Sequence, residues 1–583
     1  MRLVARGLVA LAAFAACGDS AATGGDGGGL DDADIDGAPP PPACSGPTSA
    51  SGADGTAPGV LTAPNPTLRH ATLHWLFSGD TDEDAVVRVR FRVENGTWRQ
   101  GAPLFRVPAG TTQNKSWPDR FTGSVFDLVP DTAYEVELAL DDPDGGCETR
   151  TQSIRTRPVP APMAGAPVIA VTSGNVTAML AAAQPGQILE LAAGTYSGFT
   201  VTKDGAPGMP IVIRAAPGAT VNVTSEVRLD GRSHVIVQGL TIAGQIKFNS
   251  ATNLAIVGNR ITTTADGIVT KLRSEDLYIA DNIVIGATLW NEGALGVTGT
   301  NIGEGIEVTG PGHVIEHNRV SGFRDCISLI EDAGAVDQFS IDILRNDLSE
   351  CADDAIEADF CSHDCRVIEN RQTNVFIAMS SQPGLGGPTY FIRNVVYNAL
   401  LTPFKLQRGS VGDVLIGNTI VKRGDAFGIY TTDVYSRQFM RNNLFLGGPG
   451  GTYNTYDVGT GRVIEQRAAN TATISMDYDG YGSTTGAFAG RLGATSFASL
   501  AELRAMTSEM HAVQIDATDF ATPAVVPASP FPPASPPDLR LASGGAAVDV
   551  GIPIPNITDG FAGAAPDLGA YELGAALPVY GPR

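Results

Sequence analysis

The sequence predicts an all-β protein, in which a right-handed parallel β-helix follows a small β-sandwich. Asparagines recur at a nearly constant step, and the segments between them alternate apolar and polar residues with period two. An earlier stretch contains separate strand-like runs. A fixed period with short β-rich units is typical of a stacked repeat. The asparagines are Asn259, Asn282, Asn318, Asn346, Asn370, Asn394, Asn418 and Asn442.

Each repeat is long enough for three short strands and three turns, given strands of ~5 residues. Stacked coils lie ~4.8 Å apart, so equivalent residues form columns along the solenoid. An apolar residue precedes each asparagine by three positions, from Ile256 to Phe439, and fills the interior. We expect each asparagine to occupy a turn in the left-handed backbone region and to bond its neighbour one coil away. This ladder predicts the fold and says nothing about chemistry.

The chain begins with a segment that reads as a secretion signal, residues 1–17. Arg2 and Arg6 form the charged start, and an apolar run leads to small residues directly before Cys17. This arrangement resembles a bacterial lipoprotein cleavage site, which implies that Cys17 carries lipid. An ordinary cleaved signal is the alternative. The expected location is the bacterial cell envelope, lipid-anchored at the outer surface or in the periplasm, or else secreted.

Residues 18–58 are rich in Gly, Asp, Ala and Pro, a composition that predicts a disordered tether. Residues 59–157 then read as a β-sandwich, with Trp75 in a strand-like run and a Leu-x-Pro-x-Thr-x-Tyr pattern ending at Tyr134. That pattern resembles fibronectin type III domains, in which the Tyr packs a corner of the sandwich. Such domains are mostly spacers or binding modules. Residues 158–167 read as a Pro-rich linker.

Residues 168–583 form the predicted β-helix. Asn175–Ala183 reads as a short amphipathic helix that covers its N-terminal end, because a solenoid must cap its core. This beginning resembles the N-terminal cap of bacterial β-helix polysaccharide lyases, so the resemblance implies a pectate-lyase-like solenoid. Pro566–Glu572 resembles the final capping segment of secreted bacterial β-helix proteins.

Composition excludes one class of partner. The 583 residues carry a formal charge of −23, whereas phosphate binding needs a basic face, so we expect no nucleic acid partner. No apolar run reaches the ~20 residues of a transmembrane helix, which leaves the lipid anchor as the expected membrane contact. We expect a monomer.

The cysteines beyond Cys17 suit an oxidising compartment. Three pairs are candidates for disulfides, although sequence does not fix connectivity and thiolate metal binding is an alternative. The first pair would clasp the sandwich, the second would join neighbouring coils and the third lies within one turn. The pairs are Cys44 with Cys147, Cys326 with Cys351, and Cys361 with Cys365.

Acidic residues concentrate in three neighbouring coils, and a lysine follows further along the same face. Carboxylates this close repel one another unless a cation joins them, and Ca²⁺ is the natural partner of oxygen ligands. Lys405 falls in the same column as Glu307 and Glu357. A cation and a lysine base together suit β-elimination from a uronic-acid polymer, in which the proton at C5 is removed. The acids are Glu304, Glu307, Asp325, Glu331, Asp332, Asp353, Asp354, Glu357 and Asp359.

Three segments of this face are similar to motifs of pectate lyases in polysaccharide lyase family nine. Asp325–Ile327 is similar to that family's Asp-Gly-Phe ligand segment. Asp353–Glu357 is similar to that family's Asp-Asp-Gly-x-Asp calcium motif, and Phe404–Leu406 to its Gly-Phe-Lys-Leu segment. The resemblance implies Lys405 as the base. Glu357 stands where the family has Asp, and a whole extra coil separates the acids from the lysine. The implied Ca²⁺ ligands are Asp325, Asp353, Asp354 and Glu357.

Other interpretations remain open. Arg408 could bind a carboxylate of an acidic polysaccharide substrate, or it could be a solvated surface residue. The cluster could hold a structural Ca²⁺ or no ion. A glycoside hydrolase on the same fold would need two facing carboxylates, which this cluster could supply. A non-catalytic surface protein that binds glycans or envelope partners is the remaining alternative.

Overall fold

The computed structural model describes residues 47–583. The predicted signal, most of the predicted tether, Cys17 and Cys44 lie outside the described residues, so the lipidation and the Cys44 pairing stay predictions. Two α-helices of seven residues each are present in the described part, α1 (Val176–Ala182) and α2 (Leu500–Met506). Neither these nor any other helix within residues 47–583 has the length and apolar character to cross a bilayer.

The N-terminal unit is a pair of antiparallel sheets with orders β1-β2-β8-β5 and β10-β9-β3-β4, plus the hairpin β6-β7. In β9, Tyr134, Val136, Leu138 and Leu140 alternate with half-buried residues, so one face enters the sandwich core. The strands are β1 (Ala57–Thr62), β2 (Ala71–Ser78), β3 (Val86–Val93), β4 (Arg99–Gln100), β5 (Phe105–Val107), β6 (Gly110–Thr112), β7 (Lys115–Trp117), β8 (Arg120–Val125), β9 (Ala133–Asp141) and β10 (Glu148–Arg155).

Part of the predicted tether belongs to this sandwich. Thr56 is fully buried, and its backbone N–H and hydroxyl both donate to Asp142 Oδ2 at 2.8 and 2.6 Å. Ser51 Oγ donates to the Asp144 carbonyl at 2.8 Å. The buried Asp142 carboxylate needs donors, and this polar segment supplies them although its composition predicted a tether.

Most of the remaining strands build a parallel β-helix, which confirms the predicted all-β fold class. Residues 452–457 and 490–497 instead form antiparallel hairpins. The strands are β11 (Val168–Val171), β12 (Ile188–Leu191), β13 (Gly194–Tyr196), β14 (Phe199–Thr200), β15 (Ile211–Ala215), β16 (Val221–Val223), β17 (Val227–Arg228), β18 (Val235–Gln238), β19 (Thr241–Ala243), β20 (Ile246–Lys247), β21 (Ala255–Val257), β22 (Arg260–Thr262), β23 (Ile268–Val269), β24 (Tyr278–Ala280), β25 (Ile283–Ile285), β26 (Glu304–Val308), β27 (Val314–Glu316), β28 (Arg319–Phe323), β29 (Asp325–Leu329), β30 (Phe339–Leu344), β31 (Asp347–Glu357), β32 (His363–Ile368), β33 (Arg371–Ser381), β34 (Leu385–Ile392), β35 (Val395–Leu406), β36 (Val411–Ile416), β37 (Thr419–Lys422), β38 (Phe427–Ile429), β39 (Phe439–Arg441), β40 (Leu444–Gly447), β41 (Thr452–Tyr453), β42 (Tyr456–Asp457), β43 (Ile464–Gln466), β44 (Ser475–Asp477), β45 (Gly480–Ser483), β46 (Gly490–Leu492), β47 (Thr495–Phe497) and β48 (Val513–Gln514).

The asparagine ladder runs through the solenoid interior as a chain of hydrogen bonds. Asn259 donates both its backbone N–H and its side-chain amide to Asn282 Oδ1, each at 3.0 Å, and the pattern repeats coil by coil. The left-handed backbone falls one residue earlier than predicted, for example at Asp281 with φ 57° and His317 with φ 54°. Each ladder amide therefore satisfies backbone groups that the turn leaves unpaired.

The last predicted rung is wrong by one residue. Asn418 bonds Asn443, with N–H to Oδ1 at 3.0 Å, and Asn443 continues to Asp479. Asn442 instead exchanges hydrogen bonds with the backbone of Ile552. The loop before this rung contains one extra residue, so Met440 takes the inward position expected for Phe439.

The two ends of the solenoid core are covered differently. Helix α1 places Val176 and Leu180 on the first coil, as the amphipathic pattern predicts, and α2 places Leu503 on the last coils. The predicted C-terminal capping segment does not lie at the end. The final residues run back along one flank, where Leu568 packs on Leu444 and its neighbours. Outward apolar residues on that flank explain the difference, because they need cover.

The sandwich packs directly against the solenoid through buried polar contacts. Arg366 is fully buried, donates to Asp342 Oδ1 at 2.5 Å and reaches Ser124 Oγ of the sandwich at 2.9 Å. His70 Nδ1 lies 2.9 Å from Asp342 Oδ2. Burial opposes ionisation of Asp342, yet Arg366 and His70 outweigh it and hold the pKa of that carboxyl below its usual range. The predicted linker thus joins units that share an interface.

Candidate functional site

Five stacked strands, β26, β29, β31, β33 and β35, carry the acidic face. Their inward column is apolar, and its members are Ile306, Ile327, Ile356, Met379 and Phe404. The next residue on each strand points outward because side chains alternate. The outward column is therefore Glu307, Ser328, Glu357, Ser380 and Lys405, as the sequence register predicts.

A second outward column lies beside the first. Glu304 stands opposite Asp325 in the strand register, and the backbone N–H of Asp354 donates to Asp325 Oδ1 at 2.7 Å. The ligand-type oxygens of Asp325, Asp353 and Asp354 lie within 4.8 Å of one another, as do those of Glu304, Asp325 and Glu357. The four predicted Ca²⁺ ligands are thus brought into one cluster, although the first group does not include Glu357.

Lys405 points into this cluster. Its ammonium forms an ion pair with Asp354 and lies 3.6 Å from Glu357 Oε1, and the residue is only 8% exposed. The intervening coil, which separates lysine and acids in sequence, contributes only the short side chain of Ser380 to this column. The lysine can therefore extend along the sheet across that coil.

Charges around Lys405 control its protonation. Burial disfavours the ammonium, but Asp354, Glu357 and Asp359 outweigh burial and raise the pKa of Lys405 well above its ordinary value. Arg324 adds further positive charge, with Nε 3.3 Å from Asp325 Oδ2. Without further cations, the amine is held protonated.

The acids themselves are strongly perturbed. Burial, reinforced by neighbouring carboxylates, raises the pKa of Glu304 to about 7 and that of Asp353 to about 7. The same causes raise the pKa values of Asp325 and Glu357 well above the ordinary carboxyl range. Burial is the largest cause of each shift, and the neighbouring carboxylates add to it, so this face disfavours the ionised form of its acids.

Two buried oxygens indicate a fit to a hard cation. Asp354 Oδ1 and Asp359 Oδ2 are buried and have no hydrogen-bond partner among the described residues, although both residues are 0% exposed. A buried charged oxygen without a partner is costly, and carboxylate oxygens are the ligands that Ca²⁺ takes. The donor set therefore suits a divalent cation.

The sandwich borders one side of the site, a feature that sequence reasoning missed. Thr112 of hairpin β6-β7 donates to the Arg408 carbonyl at 2.9 Å, and Lys115 donates to the Ala335 carbonyl at 2.8 Å. Arg408 itself lies at this rim and pairs with Asp332 at 3.1 Å. Its predicted role with a substrate carboxylate stays a prediction, because it does not join the cluster.

Other acids of the cluster were noted in sequence but not predicted as ligands. Glu304 comes from the preceding coil, and Glu331 follows β29 in a loop. Asp359 lies just beyond β31, where period-two alternation continues its outward face. Alternation predicts that Asp359 points outward on the same face as Glu357, whereas no periodic signal identifies the loop residue Glu331.

A polar cleft continues the groove beyond Lys405. It has a volume of about 740 Å³ and is lined by Gln407, Tyr430, Arg462 and Arg467 among others. Gln407 Nε2 donates to the Tyr430 carbonyl at 3.4 Å, which joins the cleft to the strand that carries Lys405. The cleft provides open volume next to the cluster.

One disulfide lies beneath this face. Cys326 pairs with Cys351, which links β29 to β31, whereas Cys361 pairs with Cys365 and links the segment after β31 to β32. Cys326 points inward while Asp325 beside it points outward, so the bond joins the two coils that carry the acids. Cys147 is buried in the sandwich.

Comparison with known proteins gives one weak structural match. No family model matches the chain, and no curated protein matches it. One solved structure, described as that of a PL6 family alginate lyase, aligns with 14% identity over 54% of this chain and 51% of that chain, at a TM-score of 0.30. The chain thus spans about half of that protein's length. A likeness this weak assigns neither a substrate nor residue roles.

Proposed function

We propose that this protein is a polysaccharide lyase that cleaves a uronic-acid polymer by cation-assisted β-elimination, with Lys405 as the base. The observation that carries the proposal is the position of the Lys405 ammonium, which contacts Asp354 and Glu357 on the outer face of the solenoid. The acids and the amine thus meet in one groove, and a polymer can lie along the stacked coils.

Asp325, Asp353 and Asp354 would hold the cation, with Glu304 and Glu357 alongside. When bound, Ca²⁺ supplies positive charge that binds the uronate carboxylate and acidifies the adjacent C5 proton. The surrounding side chains shield the cation ligands from water, since Asp325, Asp353 and Asp354 are nearly or fully buried. This shielding strengthens electrostatic interactions around the ligands.

The neutral amine of Lys405 would accept the C5 proton. The C5–H electron pair forms the C4–C5 double bond, the C4–O bond breaks, and the departing oxygen takes a proton from water. The amine pairs with the acids that would bind the cation, so compensation of their charge lowers its pKa from the raised value. The base therefore becomes available when the acids are occupied, and the rate should rise with pH.

The test is the ultraviolet absorbance of unsaturated products from polygalacturonate and from alginate, with Ca²⁺ and with chelator. Lys405→Ala should reduce the rate by ~10²–10⁴-fold, the usual contribution of a general base. Lys271→Ala is the matched control, because Lys271 pairs with Glu307 in the same outward column. Equal rates in Lys405→Ala and the unmodified protein, or no unsaturated product from any uronate polymer, would refute the proposal.

A glycoside hydrolase is the second candidate. Asp353 and Glu304 each have a pKa of about 7, raised by burial and then by other carboxylates, and such values suit a general acid. Hydrolysis releases reducing ends without a double bond. New reducing ends with no change in ultraviolet absorbance would therefore favour hydrolysis over elimination. Binding of the polymer to the protein without any cleavage would favour a glycan-binding role.

A further inference from the structure

A second group of acids lies beside the proposed cation ligands. Oxygens of Glu331, Glu357 and Asp359 lie within 4.8 Å of one another. Asp359 Oδ1 accepts hydrogen bonds from Ser380 Oγ at 2.5 Å and from the Gln382 backbone N–H at 2.8 Å. Its orientation is therefore fixed by two donors on the adjacent coil.

The other oxygen of Asp359 points to a ligand. Asp359 Oδ2 is buried, the residue is 0% exposed, and this oxygen has no hydrogen-bond partner in residues 47–583. Buried polar atoms are paired in folded proteins, and leaving a charged one unpaired costs more than leaving a neutral one unpaired. This observation is independent of the clustering itself, because the companion oxygen on the same side chain is fully satisfied.

We infer that Glu331, Glu357 and Asp359 bind a second divalent cation, next to the site formed by Asp325, Asp353 and Asp354, and that Glu357 contacts both. Glu357 belongs to a close group with Asp325 on one side and to the group with Glu331 and Asp359 on the other. A shared carboxylate of this kind couples the two sites. Gln382 Nε2 donates to Glu331 Oε1 at 3.4 Å and orients that ligand.

Acids outnumber cationic side chains in and beside the groove, which favours cation binding there. Nine carboxylates stand against three cationic side chains; the acids are Asp266, Glu304, Glu307, Asp325, Glu331, Asp353, Asp354, Glu357 and Asp359, and the cations are Lys271, Arg324 and Lys405.

The second cation has a consequence that rests on the proposed function. Lys405 lies 3.6 Å from Glu357, the ligand shared by the two sites, and in an ion pair with Asp354 of the first site. Because Glu357 belongs to both close groups of acids, occupation of one site orients a ligand of the other. The rate should therefore depend on Ca²⁺ concentration more steeply than first order.

The test is isothermal titration calorimetry of Ca²⁺ into chelator-treated full-length protein. We expect two groove sites in the unmodified protein. Asp359→Asn and Glu331→Gln should each leave only one site, because both substitutions remove a ligand of the second cation. Asn keeps an oxygen for the donors Ser380 and Gln382, and Glu331 is a half-buried loop residue, so Glu331→Gln decides the matter if Asp359→Asn fails to fold. Asp337→Asn, on the exposed surface nearby, is the matched control.

Each outcome is decisive. Loss of one site in both variants, with Asp337→Asn unchanged, supports the inference, whereas full Ca²⁺ stoichiometry in Glu331→Gln overturns it. A single site in the unmodified protein also overturns it. Failure of this inference is distinct from failure of the proposed function. Cleavage of polymer with a single bound cation would refute only the second site. Binding of two cations without cleavage would refute only the lyase activity.

Discussion

Residues 47–583 contain two clusters of acids, and they differ in how their oxygens are used. The first is the groove cluster on β26, β29 and β31. The second, the sandwich cluster, lies in the loops after β2 and β9 and comprises Asp80, Asp82, Asp84, Asp142 and Asp144. In the sandwich cluster the buried acids are already satisfied, since Asp80 Oδ1 accepts from the backbone of Asp84 at 3.1 Å and Asp142 Oδ2 accepts from Thr56. The number of acids alone therefore does not identify a cation site.

Solvent makes the second difference. Burial, followed by the other acids of the sandwich cluster, raises the pKa of Asp84 only to about 6. In the groove cluster the corresponding value for Asp353 is about 7, and for Asp359 it is about 8, again with burial as the largest cause. Water screens the exposed acids of the sandwich, whereas the groove holds its acids away from water. Of the two clusters, the groove cluster is therefore the one that we expect to bind a cation.

The largest expected effect comes from Asp354→Asn. This change removes charge from an acid that has an unpartnered buried oxygen and pairs with Lys405, so Ca²⁺ affinity should fall at least tenfold and cleavage should fall with it. Calorimetry measures the first effect and product absorbance the second. Asp332→Asn, an exposed acid at the rim, is the control. Unchanged Ca²⁺ affinity in Asp354→Asn would remove the distinction between the two clusters.

A smaller effect is expected in thermal unfolding as pH changes. The folded pKa values of Asp353 and Asp359, about 7 and about 8, exceed the unfolded value of ~4. In this range the folded state binds more protons than the unfolded state, so stability is present at low pH and is lost as pH rises through 7 to 8. In the presence of a chelator, the midpoint temperature of thermal unfolding should be at least ~5 °C lower at pH 8.5 than at pH 5.5.

Calcium should reverse this loss, because a cation that binds only the folded state stabilises it by mass action. The gain in midpoint on adding Ca²⁺ should be larger at pH 8.5, where the acids are ionised, than at pH 5.5. Scanning fluorimetry at both pH values, with Mg²⁺ as a comparison ion, measures the difference. A chelated protein with the same midpoint at both pH values would contradict the assigned pKa shifts.

Much of the groove could be predicted because a solenoid converts sequence period into position. The step between ladder asparagines and the alternation around Ile356 fixed the outward column, and Lys405 falls in it. The same reasoning failed at Asn442, where one extra loop residue shifted the register. Periodicity determines which face a strand residue occupies, but insertions between strands have no periodic signal.

Other features depend on contacts between distant parts of the chain. The sequence did not predict that hairpin β6-β7 borders the site, since Thr112 and Arg408 are joined only by docking of the sandwich. The sequence also could not indicate which oxygens of Asp354 and Asp359 lack hydrogen-bond partners. The positions of all nearby donors must be known before an unpaired oxygen can be recognised. Tertiary packing supplies that information, and composition does not.

The smallest expected effect is that of Asp84→Asn in the sandwich cluster. Asp84 is largely exposed, and partial burial together with neighbouring acids raises its pKa to about 6, so its charge opposes folding at neutral pH. Removal should therefore stabilise the protein slightly, by less than ~1 kcal/mol after solvent screening, and raise the midpoint by less than ~2 °C. Ca²⁺ affinity of the groove and cleavage should not change. A loss of cleavage comparable to that of Asp354→Asn would mean that the two clusters act together, because the sandwich contacts the rim of the groove and could transmit a change from one to the other.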